Sequence, residues 1–384
     1  MAQRGRLRAA ALRDLAVYAS HPLAFAALTA TARRPQLRLG STVIVHDRDQ
    51  FAEALTRIPL NRLASGTTGG QLSAALGVDE GLLFTDDSRV ARRTSAAHLS
   101  SRQVVALAST WRPLLDEASA VLAAGETLDV VHLARRLGGA TATAVLGISA
   151  DPERLAGHVL AAAAHATRAG MRADWVNRLL RHDAISPHTR ALAERMIPSG
   201  PGWLADAADA GAGPADVAAL GVTIALATVA TTVAALPRGV AWCADAQLWR
   251  HLPERAESLT AELLRVTAPT SLLPRVTAAD ADLGGHRVRA GARLLLVARS
   301  AARQGQPHPD PSHPAAPAQA QLVFGTGPHA CPGSRLARAQ MADVLTALAV
   351  HRPRVVAARP AYRSALPSWD RLVIATTARG GGGV

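Results

Sequence analysis

The chain has 384 residues, 49% hydrophobic but only 3% aromatic, so Ala, Leu and Val must fill a large core, a composition that favours packed helices. Its net charge is +13, yet the arginines are scattered and no RNA-binding signature or zinc-finger spacing accompanies them, which argues against a nucleic-acid partner. Two cysteines, Cys243 and Cys331, cannot build a disulfide framework, and the start lacks a signal-peptide pattern, so a reducing, cytoplasmic location is expected.

The first forty residues read as helical, with the densest basic stretch at Arg4, Arg6, Arg8 and Arg13. Residues 38–47 (RLGSTVIVHD) read as a short strand. Residues 61–81 are rich in Gly, Ser and Thr and read as a long loop of the kind that often carries function. Helical patterns dominate from 86 to 265, with breaks near Gly125, at Asp151-Pro152, and at 198–202 and 211–214. Residues 217–236 carry no charge and are long enough to span a bilayer. Four threonines, Thr223, Thr228, Thr231 and Thr232, and the lack of a basic flank on the N-terminal side favour a buried central helix that ends before Pro237.

Residues 270–299 alternate β-branched runs with Gly-Gly and Ala-Gly and predict a small antiparallel sheet. A Pro-rich coil follows at 304–318. A helix begins after Cys331, with Leu336, Met341, Val344, Leu345 and Leu348 on one face. No flexible linker interrupts the order, so one domain over 1–384 is expected, mainly α with small antiparallel sheets.

Residues 324–333, FGTGPHACPG, concentrate the chemistry. Cys331 precedes Pro332 and a helix start, where unpaired backbone N–H groups and the helix dipole should lower the thiol pKa and ready the sulfur for a metal. Gly325, Gly327 and Gly333 remove side chains where the backbone must approach a flat ligand closely. Phe324 can shield the sulfur from water, and His329 can bond an anionic group. A haem suits every one of these features. A zinc site lacks further ligands at finger spacing. A catalytic Cys–His pair leaves the glycines unexplained, and a plain buried cysteine in a Gly-rich turn stays open.

FGTGPHACPG resembles the haem-binding loop of the cytochrome P450 family, F-G-x-G-x-H-x-C-x-G, at all six fixed positions. The resemblance implies the family's mainly helical, triangular-prism fold, haem b (iron protoporphyrin IX) as cofactor and Cys331 as axial ligand. The family's E-x-x-R mark is similar to Glu262-Leu263-Leu264-Arg265, which would share a helix face as an ion pair and brace the coil before the cysteine loop. The family's third brace residue, an Arg, aligns with His313. Pro269, the pocket-lining stretch Thr270 to Pro274 (including Ser271 and Leu272) and Arg275 follow in the family's order. Arg275 is expected on a haem propionate. Residues 84–102 are similar to D-P-P-E-H-T-R-L-R-R, which puts Arg92 on the other propionate and Ser88 where the family has His.

The apolar helix aligns with the family's distal helix, whose pattern is A-G-x-(D/E)-T-T, at residues 227–232. Thr231 matches the threonine that works with oxygen, Thr228 stands at the Gly position, and Ala230 stands at the acid that normally helps deliver protons. Pocket residues are expected within 64–84, 223–231 (Ala227 included) and 270–274.

The resemblance implies a haem-thiolate monooxygenase acting on a small molecule in bacterial specialised metabolism, with the substrate free or tethered to a carrier protein. Electrons would come from NAD(P)H through a ferredoxin reductase and a ferredoxin docking near Arg335 and Arg338. The expected protein is monomeric, with no membrane partner. The missing acid favours a second reading, in which the same centre runs coupling, peroxide-driven or rearrangement chemistry. A third is a non-catalytic haem-based binding protein.

Overall fold

The computed structural model describes residues 2–61, 63, 64, 67, 70, 97–171 and 187–376. Ser88, Arg92 and most of the expected pocket loop 64–84 lie outside the described residues, as does the side chain of His329.

Two helices, α1 (Ala2–Leu15) and α2 (Pro22–Thr31), lead into a β-hairpin of β1 (Gln36–Leu39) and β2 (Thr42–Val45). The sequence predicts a single strand here. Gly40, at φ +59°, instead turns the chain back on itself, a conformation that costs glycine little. Helix α3 (Arg48–Thr56) is capped by Asp47, whose carboxylate accepts from the backbone N–H groups of Asp49 and Gln50. Strand β3 (Leu60–Asn61) follows. Next come α4 (Ser101–Ala123), β4 (Leu128–Asp129), α5 (Val130–Leu146), α6 (Pro152–Met171), α7 (Pro187–Ala193), α8 (Trp203–Asp209), α9 (Pro214–Ala246) and α10 (Leu252–Thr267). The C-terminal part holds β5 (Leu273–Thr277), β6 (Ala281–Leu283), β7 (His286–Val288), β8 (Arg293–Leu296), α11 (Ala298–Arg303), α12 (Pro317–Gln321), α13 (Ser334–Ala349), β9 (Arg354–Pro360) and β10 (Trp369–Ala375).

The strands form three sheets, one of them mixed rather than antiparallel. Its order is β1-β2-β8-β5-β3, with β2 and β8 parallel because the first hairpin is added from the far end of the chain. The others are β4-β10-β9 and the β6-β7 hairpin.

Helix α9 does not stop before Pro237 but continues to Ala246, capped by Gln247 in the left-handed region at φ 56°. Pro237 has no amide hydrogen for the Val233 carbonyl, a loss that costs about 3 kcal/mol in a helix interior. Almost every residue from Val229 to Ala246 is buried, and that packing holds the helix through the defect. Of the described helices only α9 is long and apolar enough to cross a membrane, and its most apolar stretch is mostly buried inside the protein.

Backbones meet closely around α9. A Cβ on Gly138 of α5 would lie 3.3 Å from the Val229 Cα, so the glycine lets the two helices touch. The main core gathers α4, α5, α9, α10 and α13. A smaller core lies beneath the mixed sheet and includes Val45, Phe51, Leu294, Leu296 and Leu322. The cysteine loop joins the two, with Leu322 rooted in the smaller core and Leu336 in the larger.

Gly139, on the opposite side of α5, faces the Pro152 carbonyl oxygen so closely that any Cβ would collide with it. Gly139→Ala should therefore destabilise the protein by about 3 kcal/mol, because backbone cannot yield as a side chain can. Gly157, exposed on α6 with open space around it, is the matched control. Gly157→Ala should raise stability by about 0.5–1 kcal/mol. Chemical denaturation of both variants checks the pair.

Candidate active site

One face of α9 forms the roof of a cavity of about 320 Å³. Ile224, Ala227, Thr228, Thr231 and Ala235 line it, spaced as one helical face requires. The Thr231 hydroxyl donates to the Ala227 carbonyl at 2.6 Å, which fixes the side chain one turn back along the helix. The far wall is the cysteine loop and the start of α13: Phe324, Gly325, Cys331, Pro332, Gly333 and Leu336. Pro269, Thr270, Leu273 and Arg275 close a third side. Leu273 and Arg275 both face inward because alternate residues of β5 share a face.

Backbone geometry presents Cys331. Gly325, at φ +71°, turns the chain out of the Leu322–Phe324 helical turn. The Cys331 N–H donates to the Phe324 carbonyl at 2.6 Å and ties the loop shut across seven residues. Gly327, at φ +58°, sits where a Cβ would come within 2.9 Å of the Thr56 methyl, so α3 buttresses the loop from outside. Phe324 is covered by the Arg338 guanidinium, 4.7 Å from its ring centroid. Arg338 also donates to Gln321 at 2.9 Å.

The sequence-based expectation for the thiol is corrected. Cys331 exposes its surface to the cavity interior while protein surrounds the sulfur, and this burial pushes the thiol above its ordinary value. The Gly333 N–H and the Arg338 charge act the other way and do not overcome it. A metal, not the helix dipole, is what would drive the proton off.

Glu262 and Arg265 are sealed from water and joined by two parallel hydrogen bonds, Arg265 Nε to Glu262 Oε1 at 2.9 Å and Nη2 to Oε2 at 2.6 Å. The coil supplies everything else. Arg265 donates to the carbonyls of Ala302, Gln306 and His308. Glu262 accepts from the backbone N–H groups of Asp310 and Ala315 and from the Gln306 side chain. His313 is not part of this brace. Its imidazole is 88% exposed and lies 3.4 Å from Asp310, because the coil turns the ring outward while its carbonyl accepts from Gln306. Gln306 holds the bridging place, which no local motif revealed.

The remaining expected residues divide. Ser271 is buried beside the cavity and donates to the Ala268 carbonyl, and Leu272 is not in the cavity wall. Ala230 faces away from Cys331, into a second cavity of about 580 Å³ bordered by Arg135, Leu160, Arg363 and Asp370. Sequence reasoning missed a buried polar chain. Thr232 donates to Gln340 at 3.4 Å, and Gln340 donates to Thr141 at 2.8 Å, linking α9, α13 and α5 across 108 and 199 residues of sequence.

Among the described residues no three His, Cys, Asp or Glu side chains converge to hold a metal. A metal on Cys331 must therefore bring its own remaining ligands. One sulfur, a glycine-lined wall and an arginine at the rim suit a flat, anionic macrocycle, so the donor set fits a haem.

Loss of one partner from the buried pair leaves an uncompensated charge, at a cost of about 3–5 kcal/mol. Glu262→Ala should lower the melting temperature and the yield of haem-loaded protein together. His313→Ala should stay within about 0.5 kcal/mol of the parent, as an exposed substitution does. Calorimetry and the haem-to-protein absorbance ratio read both outcomes.

A model of the cytochrome P450 family matches residues 256–350, the segment that carries the buried pair, the coil, the cysteine loop and α13. Over 133 residues the chain is 31% identical to cytochrome P450 140 of Mycobacterium tuberculosis, covering 33% of this chain and 30% of that protein. Over 96 residues it is 36% identical to the mycinamicin VIII C21 methyl hydroxylase of Micromonospora griseorubida, 24% of either protein. The matched stretches thus span less than a third of these relatives' length. The crystal structure of P450BioI in complex with hexadec-9Z-enoic acid ligated acyl carrier protein shares the fold at a TM-score of 0.73 and 18% identity, over 94% of this chain and 99% of that one. Sequence likeness to the cytochrome P450 family is thus concentrated on residues 256–350, around the cysteine loop, and nearly the whole chain shares the cytochrome P450 fold.

Proposed function

We propose that the chain is a haem-thiolate monooxygenase acting on a small organic molecule in bacterial specialised metabolism. The observation that carries this reading is the placement of Cys331 and Thr231 in facing walls of one cavity. Haem b, when bound, supplies oxygen activation, with the thiolate pushing electron density toward O–O cleavage. Cys331 would hold the iron, Arg275 a propionate, and Phe324, Gly325 and Gly333 the face and edge of the ring. Arg92 and His329 complete the anchoring by family resemblance.

The protein's own part is to position, to exclude water and to move protons. Thr231 keeps its hydroxyl oxygen at the cavity surface while its hydrogen is held by Ala227. Thr228 adds a second hydroxyl one turn away. Thr270 and Leu273 orient the substrate from the third wall. Electrons would arrive from NAD(P)H through a reductase and an acidic ferredoxin. Arg335 is exposed at the first turn of α13 and suits that docking, whereas Arg338 is partly buried and committed to Phe324 and Gln321. P450BioI carries its fatty acid on an acyl carrier protein, and delivery of this chain's substrate on a carrier is a coherent variant of the same reading.

A second reading is favoured by one observation. No Asp or Glu among the described residues lines the Cys331 cavity. Such a site suits oxidative coupling, peroxide-driven or rearrangement chemistry, in which oxygen from dioxygen need not enter the product. Isotopically labelled dioxygen separates the two readings, because only monooxygenation puts label into the product.

Thiolate ligation should give the red-shifted Soret band of the reduced carbon-monoxide complex. Cys331→Ser should abolish it and Cys243→Ser should leave it, since Cys243 is buried within α9 away from the cavity. Survival of the band in Cys331→Ser rules out the assignment.

General acid–base help is worth ~100- to 10,000-fold, and here two alcohols stand without an acid. Turnover of a generic hydrophobic probe should therefore be slow and release peroxide, with little product per NAD(P)H consumed. Thr231→Ala should lower that ratio further. Tight coupling of the parent protein on such a probe would show that Thr228 or water supplies a full relay.

A further inference from the structure

Outside the Cys331 cavity, the densest buried charge lies where α1, α9 and α11 meet. Arg238 has no exposed surface. Its Nε and Nη2 donate to the two Asp14 carboxylate oxygens at 2.7 and 3.0 Å, and Nη2 also donates to the Tyr18 hydroxyl at 3.0 Å. Arg303 donates to the same Asp14 from its Nη2 at 3.0 Å and to the Val266 carbonyl from its Nε at 3.1 Å. Arg299, one turn earlier on α11, places its guanidinium 4.5 Å from the Tyr18 ring centroid, and the Arg238 guanidinium lies 5.3 Å from the same centroid.

Two guanidinium groups, Arg238 and Arg299, thus lie over one aromatic ring, and Arg238 and Arg303 share a single carboxylate. The excess positive charge is felt within the cluster. Burial holds Arg303 below its ordinary value, and the charges of Arg299 and Arg238 add to that effect, while Tyr18 and Asp14 oppose it. Burial alone would raise Asp14, but Arg238 and then Arg303 bring its carboxyl below the usual range. Two donors are left over. Arg238 Nη1 and Arg299 Nε are both buried and have no hydrogen-bond partner. A buried donor without an acceptor and a buried charge without a counter-charge are each expensive, and here they coincide.

We infer that this cluster is a binding site for a small monovalent inorganic anion, seated beside Tyr18 between Arg238 Nη1 and Arg299 Nε. A halide suits the place because it is compact, accepts from several donors in any direction and brings one negative charge. It cancels one of the two charges in excess. Arg303, whose side chain is 14% exposed, shares the other with solvent. The bound anion ties α1 to the C-terminal half of α9 and to α11, so it stabilises the native state by mass action.

The test uses haem-loaded protein. Thermal unfolding is followed in rising sodium chloride, with sodium isethionate holding the ionic strength constant. A saturable rise of about 2 °C or more is expected for chloride over isethionate. Crystals soaked in sodium bromide should show an anomalous peak within hydrogen-bond reach of both nitrogens. Arg299→Leu removes one donor and leaves the Asp14–Arg238 pair intact. It should abolish both the chloride-specific rise and the peak, and Tyr18→Phe should keep them. Equal melting in the two salts without a bromide peak overturns the inference, as does a peak retained in Arg299→Leu. So does a phenolate absorption band at neutral pH that Tyr18→Phe removes, because the counter-charge would then belong to the chain itself.

Discussion

A carboxylate and a guanidinium sealed from water, Glu262 and Arg265, organise the coil that presents Cys331. Removing two charges from water is costly, and their mutual attraction offsets that cost only when the remaining lone pairs and protons are also satisfied. Here the coil satisfies them. It offers Arg265 three carbonyls and offers Glu262 two backbone N–H groups and the Gln306 amide. The dependence runs both ways. A Pro-rich segment cannot order itself through regular backbone pairing, so it takes its shape from the pair, and the pair stays buried because the coil surrounds it. The chain then enters the smaller core at Leu322, makes the Gly325 turn and delivers the sulfur to the cavity wall.

Helix α9 faces two ways. Thr228 and Thr231 look onto the cysteine, whereas Ala230 looks into the second cavity on the side of α6 and the β9–β10 connection. Adjacent residues of a helix diverge by about 100°, so consecutive positions serve different spaces. Thr231 thus lines the cavity that holds Cys331, while the side chain at 230 borders a region where Arg135 and Arg363 stand. Gly138 fixes this orientation by letting α5 approach the Val229 backbone, and the Thr232–Gln340–Thr141 chain pins the rotation of the helix. The polar chain also locates α9 relative to α13, and therefore relative to Cys331.

What the sequence disclosed was whatever is local. The cysteine loop is ten consecutive residues, and Glu262 and Arg265 lie within one helical turn, so pattern alone brought them forward. The central helix was visible as an uncharged run. Its true end was not, because tertiary burial outweighs the helix-breaking preference of Pro237. His313 was misplaced for a related reason. Its position in the coil matched, but the direction of a side chain in an irregular segment depends on which backbone groups the buried pair claims. Gln306 lies 44 residues from Glu262, and Asp14 lies 224 residues from Arg238, so neither partnership leaves a periodic signal. The thiol was misjudged because a helix N-terminus can be read from sequence while burial cannot.

Four alcohols and no carboxylate on the described cavity wall define the chemical problem that the proposed monooxygenation poses. An alcohol can pass a proton along, but it seldom originates one near neutral pH, so the supply must come from outside the Thr228–Thr231 pair. Water is one source and a polar group on the substrate is the other. Water that enters freely also wastes electrons as peroxide, so a cavity relying on water alone gains little from excluding it. A substrate that carries its own donor resolves the conflict, because it fills the cavity and completes the relay in one binding event. Productive turnover then requires the right functional group as well as the right shape. On the proposed function, the lack of a carboxylate on the described cavity wall thus ties the yield of chemistry to the identity of the molecule bound between Thr231 and Cys331.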